Sequence, residues 1–198
     1  MWFVWVIVIV ASYLLGSIPT AYLLVKMKLG VDIRDLGSGN VGTTNSMRVA
    51  GRVTGLLVFL IDVLKGAAPV FAARLIGGEA MAACAACAAF LGHLYPLWLG
   101  FRGGKGVAIS IGMAAVLTPY LALITFAVWL LLLLITHYVS IASCGSGVVL
   151  ALLCLFTAQP WPYMVLYAVL CAIVLVRHRS NFRKIAAGTE NKSFLFHH

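Results

Sequence analysis

An all-α integral membrane protein with about seven transmembrane helices is the fold class this sequence predicts, and three observations carry the prediction. The 198 residues are 63% hydrophobic and only 10% charged, with a mean hydropathy of +1.07. That leaves too little polar surface to cover a water-soluble globule. Long apolar runs approach the roughly 20 residues that a helix needs to cross a bilayer. Finally, Lys and Arg gather at the ends of these runs rather than inside them, as juxtamembrane cations do.

Taken in chain order, seven spans are expected: Trp2 to Val25, Val53 to Ile76, Ala80 to Leu99, Val107 to Leu117, Tyr120 to Thr136, Val139 to Thr157 and Tyr163 to Val176. The fourth is short, and Pro119 separates it from the fifth. Five or six crossings therefore stay open beside seven. The first span exceeds a signal-peptide core and has no basic segment before it, so it reads as retained. His197-His198 resembles the stub of a purification tag and receives no role.

Charge placement sets the expected orientation. Lys26, Lys28, Arg34, Arg48 and Arg52 follow the first span, Arg102 and Lys105 follow the third, and Arg177, Arg179, Arg183, Lys184 and Lys192 follow the last. Only Arg74 marks the opposite side. The excess of cations on the cytoplasmic side gives an external N-terminus, a cytoplasmic C-terminus and an odd number of spans. Three polar islands, at about 26–52, 100–107 and 177–192, then share the cytoplasmic face and form one composite site in a single domain, 1–198. The formal charge of +9 belongs to span ends that meet anionic lipid headgroups, so no nucleic-acid partner is expected.

The segment Phe101-Arg-Gly-Gly-Lys-Gly-Val107 puts two cations among three glycines. Lysine supplies a compact point charge, and backbone without Cβ lets N–H groups approach phosphate oxygens. Position 99 is Leu and no Ser or Thr follows Lys105, so this is not a Walker loop. Gly37-Ser-Gly-Asn-Val-Gly42 matches the dinucleotide spacing, but no strand or βαβ unit surrounds it. What survives is a glycine loop lined by Ser38, Asn40, Thr43, Thr44 and Asn45 and closed by Arg48.

Other features favour packing or pairing. Cys84 and Cys87 lie in an Ala-rich small-residue stretch that suits close helix packing rather than a metal site. Asp62 and Lys65, three apart in an apolar span, share a helical face and can pair. His93 stands at the cytoplasmic end of the third span, either as a hydrogen-bonding core residue or as part of the site, and His137 is read as interfacial. The five carboxylates, Asp32, Asp35, Asp62, Glu79 and Glu190, form no metal-ligand spacing with His or Cys. No metal or organic cofactor is implied. Position 98 is Trp, so His93 lacks the Asp of a His-x-x-x-x-Asp acyltransferase base.

The islands resemble the three cytoplasmic motifs of the bacterial membrane glycerol-3-phosphate acyltransferases of the PlsY type. The likeness runs through Gly16-Ser-Ile-Pro19, Gly37-Ser-Gly-Asn40 with Thr44, Asn45 and Arg48, Asp62-Val-Leu-Lys-Gly66, His93-Leu-Tyr-Pro96, Gly103-Gly-Lys-Gly106, Arg177-His178 with Asn181, and Gly188-Thr-Glu190. Two mild departures are Thr43, where the family usually has Ala, and Phe182, where an aliphatic residue is common. The resemblance implies a seven-span fold in the bacterial inner membrane. It also implies the reaction of acyl phosphate with the 1-hydroxyl of glycerol 3-phosphate to give lysophosphatidic acid and phosphate.

Under the resemblance, Ser38, Asn40, Arg48, Lys105, His178 and Asn181 are the catalytic candidates. Thr44, Asn45, His93, Gly103, Gly104, Gly106 and Glu190 are the substrate-binding ones. An acyl phosphate is already activated, so alignment and phosphate neutralisation are the main demands on the protein. Either a substrate phosphate oxygen or His178 accepts the hydroxyl proton. The rival from another class is a transporter of phosphate or a sugar phosphate. It would show internal repeats and binding residues near the midplane, whereas no repeat relates the two halves and the candidate binding groups cluster on one face.

Overall fold

The structure is a computed structural model that describes residues 2–193, and the regular structure of these residues is entirely helical. His197 and His198 lie outside the described residues. The chain divides into two compact units, Met1–Leu117 and Thr118–His198, each described by itself.

In the first unit the opening span is broken. Helix α1 (Trp2–Ser17) stops at Ile18-Pro19 and α2 (Thr20–Leu29) resumes, because proline has no N–H to continue the ladder and its ring crowds the preceding turn. A 3-10 turn at Ile33–Asp35 and the short helix α3 (Thr43–Ala50) follow, so the first polar island is partly helical rather than a plain loop.

The second and third expected spans form one run of helix, α4 (Arg52–Leu94), interrupted by non-helical backbone at Gly77 and Gly78. Gly78 has φ 70 and ψ −158, a conformation open essentially to glycine alone. Ala73, Met81 and Ala85 pack together against Trp5 and Val8. Lys65 and Gly92 both meet the end of α1, at Ile18 and at Tyr13 and Ser17 respectively. Residues at similar distances on either side of Gly77–Gly78 thus meet the same end of α1, and α4 is two antiparallel arms. The second arm ends at Leu94, short of the expected Leu99, because Pro96 stops it and Leu97–Leu99 form a 3-10 turn.

Helix α5 (Val107–Leu117) packs on the first arm where Gly66 and Gly112 meet it. A Cβ on Gly112 would strike the Val63 backbone, and one on Gly66 would strike Ile109. On the second arm, Gly16 of α1 lies against the Ala89 backbone. This is close small-residue packing, which supplies van der Waals contact where lipid gives no hydrophobic drive. It also accounts for the Ala-rich stretch around Cys84 and Cys87, whose Ala82, Ala85, Ala86 and Ala89 are buried.

The second unit holds α6 (Pro119–Thr136), α7 (Val139–Phe156), α8 (Trp161–Arg177) and α9 (Arg179–Ala186). Trp129 Nε1 donates to Ser143 Oγ at 3.2 Å across the α6–α7 hairpin, and Thr118 Oγ1 and Tyr167 Oη share a buried 2.8 Å hydrogen bond. The third polar island also proves partly helical, as α9. His137 caps α6 with φ 62, and its carbonyl accepts the Ser193 N–H at 2.7 Å.

Four helical stretches among the described residues are long and apolar enough to cross a membrane: Trp2–Leu29, Arg52–Leu99, Pro119–Thr136 and Val139–Phe156. The pair α8 and α9, bent by 46°, makes a fifth. Helix α5, with 11 residues, is about 16 Å long, about half of a hydrocarbon core of about 30 Å. Polarity runs inward on the first arm of α4: Asp62 and Lys65 are buried, while Leu57, Leu60, Leu64 and Phe71 are exposed. Such a face is stable against acyl chains and not against water.

Candidate active site

The first glycine loop is built by its own backbone and one amide. Gly37 and Gly39 take φ of 59 and 70, turning the chain so that Asn45, on α3, reaches back under it. Asn45 Oδ1 accepts the Ser38 N–H at 2.9 Å, and Asn45 Nδ2 donates to the Leu36 carbonyl at 3.0 Å. Asn45 is 1% exposed, so this amide, expected to bind substrate, is turned onto its own loop as a brace. Ser38 is exposed and Asn40 and Thr44 are half-buried. Arg48 is exposed one turn beyond Thr44, on the same side of α3.

The loop is anchored to α2. Lys28 Nζ donates to the Ala50 carbonyl at 2.7 Å and to Thr54 Oγ1 at 3.3 Å, holding the C-terminal end of α3. Asp32 accepts the Arg34 N–H at 2.9 Å and pairs with its guanidinium at 2.7 Å. The Arg34 hydrogen bonds hold the Asp32 carboxyl below its usual value. The Arg34 guanidinium also lies over the Tyr22 ring, 5.9 Å from its centroid.

The second glycine loop folds onto the end of α4. Gly103 N–H donates to the Leu94 carbonyl at 3.0 Å and Gly104 N–H to the His93 carbonyl at 3.2 Å. A Cβ at Gly104 would collide with the His93 imidazole and stand 2.9 Å from the Val41 carbonyl, so the two glycine loops abut there. Lys105 is half-buried between Gly104 and Gly106.

Each loop leads directly into a helix. The first intrahelical bonds are Ser46 N–H to Gly42 in α3 and Ser110 N–H to Gly106 in α5, so the earlier N–H groups of both helices face their glycine loops. Neither first turn carries an acidic residue. Two helix N-termini with a lysine and an arginine nearby form an electropositive setting suited to phosphate.

A small cleft lies beside the abutting loops, with room for about one water. Its lining includes Ile18, Asp62, Lys65, His93, Gly103 and Gly104. The sequence flags Asp62 and Lys65 only as a pair sharing a helix face. Their position beneath the glycine loops depends on the α1–α2 break and the α4 hairpin, which local spacing does not reveal.

The second unit carries the remaining candidates. His178 is buried at the α8–α9 junction, and its Nδ1 lies 2.8 Å from the Val174 carbonyl. A carbonyl can only accept, so Nδ1 carries a proton and donates to Val174. Asn181 Nδ2 donates to Glu190 Oε1 at 2.6 Å, which fixes the Asn181 amide.

Residues 6–188 match the family described as glycerol-3-phosphate acyltransferase. A glycerol-3-phosphate acyltransferase of Rubrobacter xylanophilus is 45% identical over 188 residues, 94% of each chain. The chain belongs to the glycerol-3-phosphate acyltransferase family. Another relative, glycerol-3-phosphate acyltransferase 2 of Moorella thermoacetica, is 39% identical and covers 95% of this chain and 97% of its own.

The acyltransferase also superposes on the crystal structure of PlsY (YgiH), an integral membrane glycerol 3-phosphate acyltransferase, in its glycerol 3-phosphate form. The TM-score is 0.93 at 37% identity, covering 98% of this chain and 99% of that one. The lysophosphatidic acid form of PlsY gives 0.89, with 95% and 94% covered. The protein is therefore an acyltransferase of phospholipid biosynthesis with an all-helical, membrane-integral fold.

Proposed function

We propose that the acyltransferase moves a fatty acyl group from acyl phosphate to the 1-hydroxyl of glycerol 3-phosphate, giving lysophosphatidic acid and phosphate. The pair of glycine loops that abut at Val41 and Gly104 and lead into two helix N-termini carries this reading, since both substrates present phosphate. The PlsY forms with glycerol 3-phosphate and lysophosphatidic acid support the acceptor and the product.

Lys105, with Gly103, Gly104, Gly106 and the α5 N-terminus, receives one phosphate. Arg48, with Ser38, Asn40, Thr44 and the α3 N-terminus, holds the other phosphate or the reacting carbonyl. The glycerol hydroxyl attacks the acyl carbonyl, a C–O bond forms, and the bond from carbonyl carbon to phosphate oxygen breaks. A phosphate oxygen takes the hydroxyl proton, while the cations and loop donors stabilise the oxyanion. His178 and Asn181 contribute hydrogen bonds, Glu190 sets the Asn181 amide, and His93 supports the second glycine loop. A second reading makes His178 Nε2 the proton acceptor, favoured by the Nδ1–H bond to Val174.

The same reading takes the chain as one functional domain in the bacterial inner membrane, with an external N-terminus, a cytoplasmic C-terminus and about seven spans. Cation placement at the span ends supports it. Purified protein given glycerol 3-phosphate with acyl phosphate, acyl-CoA or an acyl-carrier thioester tests the donor. Lysophosphatidate from acyl phosphate alone is expected. Product from a thioester but not from acyl phosphate overturns the assignment, and no product from any donor favours a transporter.

A further inference from the structure

The break in the first span leaves a backbone problem that the loop chemistry does not address. Pro19 interrupts the helix between α1 and α2, and the Ile18 carbonyl loses its ordinary place in an i to i+4 ladder. Its backbone bond comes from the Thr20 N–H, only two residues on, at 3.0 Å. Inside a membrane protein an under-satisfied carbonyl needs another donor.

Lys65 supplies it from the first arm of α4, with Nζ donating to Ile18 O at 2.9 Å. The same Nζ pairs with Asp62 Oδ1 at 2.8 Å. With three N–H donors, the Lys65 ammonium thus holds the broken span and its neutralising carboxylate together. Both residues are buried, at 8% and 2% exposure, so the ammonium is not held there by solvent. Ile18, Asp62, Lys65, His93, Gly103 and Gly104 line one cleft, and Gly104 is itself packed on His93.

We propose that Lys65 is a positioning residue for acyl transfer. By tying the Ile18 carbonyl to α4, it fixes the floor on which the second glycine loop rests, and Asp62 keeps that tie electrically neutral. The tie joins two segments distant in sequence, the α1–α2 break and the first arm of α4, at a cleft that Gly103 and Gly104 of the second glycine loop also line. A displacement of about 1 Å in a substrate-holding loop costs on the order of a hundredfold in rate. This inference rests on the proposed function. Turnover by the wild-type protein tests that function, while the comparison among variants tests the tie.

The experiment compares wild type, Lys65→Met and the double variant Asp62→Asn/Lys65→Met in detergent. It measures thermal stability, kcat and KM for glycerol 3-phosphate, and hydrogen exchange of peptides covering 16–21 and 100–106. Lys65→Met leaves Asp62 buried without its partner and is expected to lose stability. The double variant removes that charge and is expected to regain stability. It should still lose about ten- to a hundredfold in kcat/KM and exchange faster in both peptides.

A double variant that regains stability and kcat/KM together, or that shows wild-type exchange in both peptides, overturns the proposal. Such a result would reduce the pair to a structural element. If neither Met variant folds, Lys65→Gln decides, because its amide can still donate to Ile18 O. Wild-type protection of 16–21 and 100–106 is then expected, and lost protection in folded Lys65→Gln refutes the tie.

Discussion

Replacing Asn45 by Ala separates a loop brace from a substrate ligand. The change removes the acceptor for the Ser38 N–H at 2.9 Å and the donor to the Leu36 carbonyl at 3.0 Å. Each hydrogen bond contributes about 0.5–1.5 kcal/mol net, and a buried group left without a partner costs about 1–3 kcal/mol. Because the site is 1% exposed, water cannot readily replace the amide, and a total loss of about 2–3 kcal/mol is expected. For a chain of this size that corresponds to a Tm lower by about 4–12 °C. Displacement of Ser38 and Asn40 should lower kcat as well. Asn45→Asp keeps Oδ1 for Ser38 but sets an oxygen against the Leu36 carbonyl, so it should lose comparable stability. Thermal unfolding in detergent beside steady-state kinetics reads both effects. An Asn45→Ala protein with wild-type Tm and a raised KM for a single substrate would refute the brace and make Asn45 a direct ligand.

Four further outcomes follow from the same geometry. Lys105→Met and Arg48→Met should each lower kcat/KM by about ten- to a hundredfold with Tm retained, as expected for one charge-assisted hydrogen bond to phosphate; near-normal kinetics in either folded variant removes that residue from the site. His178→Gln should keep substantial turnover while His178→Ala loses more, whereas equal losses of about 10² to 10⁴, together with disappearance of a pH-rate limb, restore His178 as the base. Gly112→Val drives a side chain into the Val63 backbone and should lower stability by about 1–3 kcal/mol or more, read as a fall in Tm. Asp32 has a folded value below its usual 3.8, so its contribution is present above that pH and lost as pH falls through the folded value. The Tm difference between wild type and Asp32→Asn should therefore shrink only in acid, and it should be small and salt-sensitive throughout because the pair is exposed.

Helix positions were legible because lipid imposes a strong pattern: uninterrupted apolar runs, cations at their ends, and prolines at the breaks. The separation of α5 from α6 is marked by Pro119, and the end of the second arm of α4 by Pro96. The inward stripe bearing Asp62 and Lys65 was also readable, since a charged pair three apart must share a face. The short helices α3 and α9 were harder. Their sequences are polar, and only the glycine at the start of α3 and the His178 junction mark their boundaries. The hydrogen bonds of Asn45 to its own loop were hidden for a different reason, because an amide that binds substrate and one that braces a glycine loop have the same local sequence. Lys65 shows the same limit at longer range, since its bond to Ile18 requires a proline break 47 residues away to be brought alongside by the fold.

Direct transfer without an acyl-enzyme is the claim on which the mechanism turns. Purified enzyme should be mixed with acyl phosphate alone, at enzyme concentrations high enough to see one turnover, and then with glycerol 3-phosphate added. Released phosphate and intact protein mass are measured at each stage. Before the acceptor is added, the account predicts no phosphate burst stoichiometric with enzyme and no acyl adduct on the protein. Afterwards it predicts phosphate and lysophosphatidate in equal amounts. A stoichiometric burst without acceptor, accompanied by a protein mass increased by one acyl group, would contradict it.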